Sequence, residues 1–451
     1  MSSQRLSGMV GFSVVWFGQV VSVLGTGMTQ FALTIWAWQI TGQATALALV
    51  GFCGFFPLVV MSPLAGALVD RWNRKLVMIL SDLAAGLATI AIFVLLKTGH
   101  LEIWHLYAAA AFSGVFGAFQ FPAYSASITL MLPKEQYTRA NAMLGLAQSI
   151  SSVFAPIAAG ALLVFLGIGG ILTIDIATFV FAIAALLVVP IPQPASSPAE
   201  KAEKRSLWAD SLFGFRYIFA RPSLTGLLIL FFAVNMILSL SFAVFSPMVL
   251  ARTGNNSLVL GSVQMIFGIG GVLGGVLVGI WGGPKRKIHG LLLGAMVSCL
   301  FGVVLLGVGQ TLVVWGVGAF LAVVLTPMVQ GSSNAIWQTK VPANVQGRVF
   351  SARIVIGQIG GALALPVGGL LADRAFEPLM RGSSALARTM SPLVGSGPGA
   401  GMGLMFVLFG ILGTLASAGG YLYRPVREIE ALLPDAVGAA AAAPAAAAGG
   451  K

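Results

Sequence analysis

Charge is what this chain has least of: only 8% of its 451 residues are Asp, Glu, Lys or Arg, against 58% hydrophobic, and its mean hydropathy is +0.96. Such a composition cannot clothe a water-soluble surface, so the solvent is lipid. Histidines number three and cysteines two. His100, Glu102 and His105 form a loop cluster without the fourth ligand or helical repeat of a zinc site, and His289 stands alone. Cys53 and Cys299 fall in separate apolar runs, which excludes a disulfide framework and a cysteine metal site. No Gly-x-x-x-x-Gly-Lys-Ser/Thr stretch is present, so a direct ATP drive is not expected of this chain. The reading is therefore of a protein that is not an enzyme and carries no cofactor and no metal.

Apolar runs, by contrast, are abundant. A span needs about 20 mostly apolar residues to cross a hydrocarbon core about 30 Å thick. Such runs lie at 12–38, 46–69, 76–96, 103–124, 140–165, 169–190, 223–250, 258–281, 288–308, 312–333, 347–371 and 402–423. They are continuously apolar, without the alternation of a barrel strand, so the expected fold class is all-α integral membrane with twelve transmembrane helices. The 57 glycines suit close helix approach in lipid. The first run leads to Trp36 and Trp38 with no small-residue cleavage site, and reads as a retained helix rather than a signal peptide.

A net charge of +12 invites a nucleic-acid reading, but the placement of the basic residues argues against one. Of 25 Lys and Arg, all but Lys97, Arg252, Arg374, Arg381 and Arg388 fall on one side of the spans. The positive-inside rule makes that side cytoplasmic, which implies a multi-pass protein of the cell (inner) membrane with both termini in the cytoplasm.

The long polar stretch between the sixth and seventh runs divides the chain. The expected organisation is a six-helix bundle over 10–190, a cytoplasmic linker over 191–222, a second six-helix bundle over 223–425 and a low-complexity tail over 426–451. Within the linker, Leu207, Trp208, Leu212, Phe215 and Phe219 recur at near-helical spacing, as in an interfacial amphipathic helix. The two bundles read as duplicates. At an offset of 209 residues Pro133 falls on Pro342, Arg139 on Arg348, Gly66 on Gly275 and Gly160 on Gly369; at 210, Gln148 meets Gln358 and Pro156 meets Pro366. Thr41-Gly42-Gln43 also echoes Thr253-Gly254-Asn255.

After the second run comes Gly66-Ala67-Leu68-Val69-Asp70-Arg71-Trp72-Asn73-Arg74-Lys75. It resembles the signature loop of the major facilitator superfamily. The Gly, three residues, Asp-Arg core recurs as Gly369-Leu370-Leu371-Ala372-Asp373-Arg374, so the short form alone is unspecific; Arg74-Lys75 and the duplicated setting make the first copy specific. With Arg139-Ala140-Asn141, Val341-Pro342 and Gly347-Arg348, the chain over about 10–425 resembles the branch of macrolide-type drug exporters, siderophore exporters and lysophospholipid transporters.

That resemblance implies alternating access and an exporter of small amphipathic or lipophilic compounds driven by the proton gradient. Siderophore or lysophospholipid transport is the alternative within the fold, and a non-transporting receptor or scaffold the alternative outside it. A conformational latch is expected at Gly66, Asp70, Arg71, Arg74, Arg348 and Arg353, with Asp70 meeting the N-terminal end of the eleventh helix. A solvated Asp70 and an Arg353 that snorkels to the interface are the plainer readings. The family's cavity-lining helices point to Gln19, Gln30, Gln120, Tyr124, Asn235, Gln330 and Asn334 as substrate-binding residues, although each amide also suits an interhelical hydrogen bond. Proton coupling falls to Asp82 or Asp175, the two acids inside the spans, each of which also fits a structural role. The expected partners are an amphipathic substrate, membrane lipid and protons, with the protein a monomer.

Overall fold

A computed structural model describes residues 8–69, 72–191, 207–381 and 384–435, and every regular element among them is helical. Eleven stretches are long and apolar enough to cross a bilayer. The longest, Arg139–Val188, is two helices fused across Gly167, whose φ of 61° and ψ of −177° break the helical backbone. Positive φ is where glycine alone carries no Cβ penalty, so one residue suffices as the connection. Twelve spanning helices result.

We label them α1 (Gly8–Thr41), α2 (Ala44–Val69), α3 (Arg74–Lys97), α4 (Ile103–Met131), α5 (137–166), α6 (168–188), α7 (222–252), α8 (Ser257–Trp281), α9 (287–308), α10 (312–340), α11 (343–381) and α12 (Ala400–Leu422). Local chemistry sets several starts. The Asn73 side chain accepts from Leu76 N at 3.1 Å, and Asn256 accepts from Leu258 N and Val259 N at 3.1 Å, each satisfying orphan amides of a helix N-terminus. Pro222 opens α7, where its missing N–H costs nothing.

The duplication is visible in the backbone. Gly42 and Gly254, the glycines of the repeated Thr-Gly turn, share a φ of 60° immediately before α2 and α8. Both threonines donate to the carbonyl four residues back, Thr41 to Ala37 and Thr253 to Val249, each at 2.7 Å. Gly160 on α5 and Gly369 on α11, also paired by the repeat, each lie against the start of the second helix of the opposite half. A Cβ at Gly160 would stand 2.8 Å from Ser257 O, and one at Gly369 would stand 2.7 Å from Thr45 Cα.

Three hydrophobic cores show how the halves meet. One lies among Phe12, Val77, Met78, Ile128 and Leu186, wholly in the N-terminal half and at the Lys/Arg-rich ends of its helices. A second, with Leu224, Ile288, Trp337 and Val349, is its counterpart in the C-terminal half. The third lies at the opposite ends and is shared: Phe31 and Ile35 of α1 and Ala155 and Ala159 of α5 pack with Phe245 and Met248 of α7 and Leu260 of α8. The halves are thus sealed together on one face and keep separate cores on the basic face.

Two boundaries differ from the sequence reading. The eleventh helix continues past 371 through a wide π turn at Ala372–Phe376 to Arg381, because Glu377 folds inward and accepts from Gly399 N and Met402 N at the start of α12, at 3.3 and 3.0 Å. Residues from 426 do not begin a tail: Val426 and Ile429 are buried in the C-terminal core, and Glu430 accepts from Lys287 N and Ile288 N at the start of α9. Lys340, itself buried, holds this segment through the carbonyls of Glu430 and Leu433 and the Asp435 carboxylate. Residues 436–451 lie outside the described residues, as do 192–206 of the linker. The remainder of the linker contains the helix Leu207–Phe219, whose Ile218 is buried in the C-terminal core and whose Phe213 ring lies 5.1 Å from the Arg348 guanidinium.

Candidate functional site

A cavity of about 760 Å³ lies between the halves, walled by α1, α5, α8 and α10. Gln30 and Thr34 come from α1, Gln148 and Ser152 from α5, Gln264 from α8 and Thr326 from α10, set among Phe31, Phe267, Val272 and Val323. Such a lining combines apolar area with neutral hydrogen-bonding amides and hydroxyls and carries no formal charge.

Of the expected substrate residues, Gln30 alone reaches this cavity. Asn235 and Gln330 line a separate space of about 100 Å³ inside the C-terminal half. Asn334 accepts from Arg353 Nη1 at 3.0 Å, while Arg353 Nη2 donates to Ser333 Oγ at 3.0 Å and the guanidinium lies 5.4 Å from the Phe231 and Trp337 rings. Arg353 therefore ties α11 to α10 within one half. Tyr124 is buried beside Phe12, with ring centroids 6.2 Å apart, and among the described residues its hydroxyl has no hydrogen-bond partner.

Gln19 and Gln120 point elsewhere, onto α3. Gln19 Nε2 donates to Asp82 Oδ2 at 2.7 Å, and Gln120 Nε2 donates to Asp82 Oδ1 at 2.8 Å and to Gln19 Oε1 at 3.1 Å. Asp82 thus sits in a ring of neutral amides; among the described residues no Lys or Arg bonds it. Arg74 and Lys75, at the start of the same helix, donate instead to backbone carbonyls: Arg74 to Ala126 O at 2.7 Å, and Lys75 to Leu187 O and Val189 O at 3.1 and 2.9 Å.

A second carboxylate is held the same way. Asp175 of α6 accepts from Thr26 Oγ1 at 3.2 Å and from Thr89 Oγ1 at 3.0 Å, and the residue is 2% exposed. Gln19 and Thr26 are seven residues apart on α1, as are Asp82 and Thr89 on α3, so each pair lies along one helix face with tiers about 10 Å apart. A polar seam with two carboxylates consequently runs through the apolar interior of the N-terminal half. An uncompensated charge in a bilayer is costly enough that such groups mark ion or proton pathways. Neutral amides and hydroxyls can serve either protonation state, because each presents both donor and acceptor atoms.

The latch residues divide. Asp70 and Arg71 lie outside the described residues; Gly66 lies in the last turn of the described part of α2, which ends at Val69. The loop histidines form no metal group among the described residues; His105 Nδ1 accepts from Glu102 N at 3.0 Å, closing the start of α4. Sequence reasoning misses the other polar residues of this lining, among them Thr34, Gln148, Ser152, Gln264 and Thr326. Gln148 stands out in the sequence only as a repeat marker, although a Gln inside an apolar span is itself a signal.

Two pseudo-symmetric six-helix halves around a cavity, sealed on one face and parted on the other, define a membrane transporter. The model of the Major Facilitator Superfamily matches residues 15–365, and the chain belongs to that family. It is similar to Macrolide efflux protein A of Streptococcus pyogenes, 26% identical over 389 residues, covering 80% of this chain and 89% of that protein. Multidrug efflux pump Tap of Mycolicibacterium fortuitum is 25% identical over 376 residues, covering 80% and 89%. Among solved structures, an inward-facing, unoccupied bacterial homolog of the human lysosomal transporter Spinster superposes with a TM-score of 0.67 at 15% identity, covering 93% of this chain and 98% of that one.

Proposed function

We propose that this protein exports small amphipathic or lipophilic compounds across the cell membrane by alternating access, driven by the proton gradient. The observation that carries the reading is the arrangement of the cores: one shared at the face poor in Lys and Arg, two separate at the basic face. By the positive-inside rule the basic face is cytoplasmic, so this is the state in which an exporter loads. Rocking the halves to part the shared core and join the other two would present the same cavity to the outside. The largely apolar, uncharged lining favours amphiphiles over sugars or multiply charged metabolites, and the efflux names of the relatives support the direction. Proton coupling is assigned to the Asp82 and Asp175 seam. Asp70, with Gly66, Arg71 and Arg74, is assigned to closing the cytoplasmic face against the N-terminal end of α11, near Arg348 and Arg353.

The test is efflux of a lipophilic cationic dye from cells carrying wild type, Asp70→Asn or empty vector at matched surface levels. Wild type alone is expected to clear the dye faster than the vector control, and a protonophore to abolish the difference. Three superimposable traces would overturn the broad exporter and leave a dedicated, lipid-like substrate as the better reading.

A further inference from the structure

At the face opposite the basic one, the two carboxylate oxygens of Asp373 accept hydrogen bonds from consecutive backbone amides of the other half, Ala44 N at 3.0 Å and Thr45 N at 2.7 Å. These are the first two amides of α2. The residue before them is Gln43, which among the described residues bonds through its backbone N–H to Thr41 Oγ1 and shows no side-chain hydrogen bond to the helix start. Its counterpart α8 caps itself through Asn256 and grips α5 through Ser257 Oγ, which donates to Gly160 O at 3.0 Å. The start of α2 therefore depends on a cap supplied from the opposite half.

One turn before Asp373, Gly369 lies where a Cβ would stand 2.7 Å from Thr45 Cα and 3.0 Å from Ala44 O. Backbone cannot give way as a side chain can, so glycine at 369 is what lets α11 come close enough for the carboxylate to reach the amides. The Gly, three residues, Asp spacing has a physical meaning here: the glycine provides the approach and the acid, one turn on, provides the cap. A carboxylate at a helix N-terminus makes charge-assisted bonds and also meets the positive end of the helix dipole.

We propose that Gly369 and Asp373 form an outer latch, in which Asp373 caps α2 in trans only while the two halves are closed on this face. Parting the halves breaks both bonds at once and returns the amides to water, so the latch biases the protein toward the state open on the basic face. It makes the contact between α2 and α11 reciprocal. Asp70, at the basic end of α2, is assigned to the start of α11, and Asp373, at the far end of α11, holds the start of α2. The proposal rests on the alternating-access reading above.

The experiment is double electron–electron resonance between spin labels at His100→Cys and Leu386→Cys, both exposed and on the outer face of different halves, in a Cys53→Ser, Cys299→Ala background. The parent is expected to show a short and a long distance, with the short one dominant. Asp373→Ala should raise the ratio of long to short about fivefold, the factor that loss of a typical helix cap corresponds to. Gln43→Asp gives α2 a cap of its own beside Asp373 and should move the ratio in the same direction; its position is exposed, so it reports even if Asp373→Ala does not fold. A parent ratio left unchanged by whichever of these variants folds overturns the latch. A parent with one distance, unmoved by a lipophilic cationic dye or a pH gradient, overturns the alternating-access reading beneath it.

Discussion

Asp82→Asn is expected to cut gradient-driven export about a hundredfold while leaving the protein folded and at least as heat-stable as wild type. The replacement keeps size and hydrogen-bonding capacity, so Gln19 and Gln120 can remain in place, and it removes a carboxylate that, among the described residues, is hydrogen-bonded by neutral amides and by no Lys or Arg. Burying an unpaired charge costs stability unless hydrogen bonds offset it, so the neutral variant has nothing to lose in the fold. Coupling is different, because asparagine cannot cycle between charged and neutral forms. A charge at depth in a bilayer is worth about 3 kcal/mol, so losing that cycle corresponds to about a hundredfold loss in coupled rate. The check is substrate transport into inverted vesicles with and without an imposed proton gradient, beside a melting curve of the same preparation. Full coupled activity in the variant would remove Asp82 from the mechanism and leave Asp175 to carry it.

Gly274→Val is expected to destabilise the fold severely, whereas Gly275→Val, one residue away, is tolerated. A Cβ at Gly274 falls inside van der Waals contact with the backbone carbonyl of Val324, where α10 is interrupted between its two helical segments; around Gly275 nothing lies within 4 Å. The helix α8 is apolar on both faces, so composition cannot separate the two glycines; only the crossing with α10 does. Overpacking against backbone costs about 2–3 kcal/mol, which should lower the folded yield and the melting temperature measured by size exclusion after graded heating. Equal stability of the two variants would contradict the close α8–α10 approach.

Much of this architecture was legible beforehand because lipid imposes simple rules. Runs of about 20 apolar residues must be helices, and the basic residues sort the ends. The repeat was readable from Thr41-Gly42 and Thr253-Gly254, and from Gly160 and Gly369, since these positions answer to backbone geometry that both halves share. The site was far less legible. Membership of a lining helix does not fix which way a side chain is turned: Gln19 and Gln120 sit on α1 and α4 but rotate onto Asp82, while Gln148 and Gln264 of α5 and α8 reach the cavity. Periodicity cannot supply that phase in a helix that is apolar all round. The end of α11 is hard to read from the sequence for a related reason. Asp373 and Glu377 look like loop residues by composition, and only their bonds to the starts of α2 and α12 show why the helix continues through them.

The central claim is a proton-driven exporter, and purified protein in liposomes tests it most directly. With a pH-sensitive dye inside and an amphipathic substrate added, proton movement should begin on substrate addition, run opposite to the substrate, and vanish in Asp82→Asn,Asp175→Asn. Substrate movement with no accompanying proton flux, or proton flux unchanged in that double variant, would contradict it.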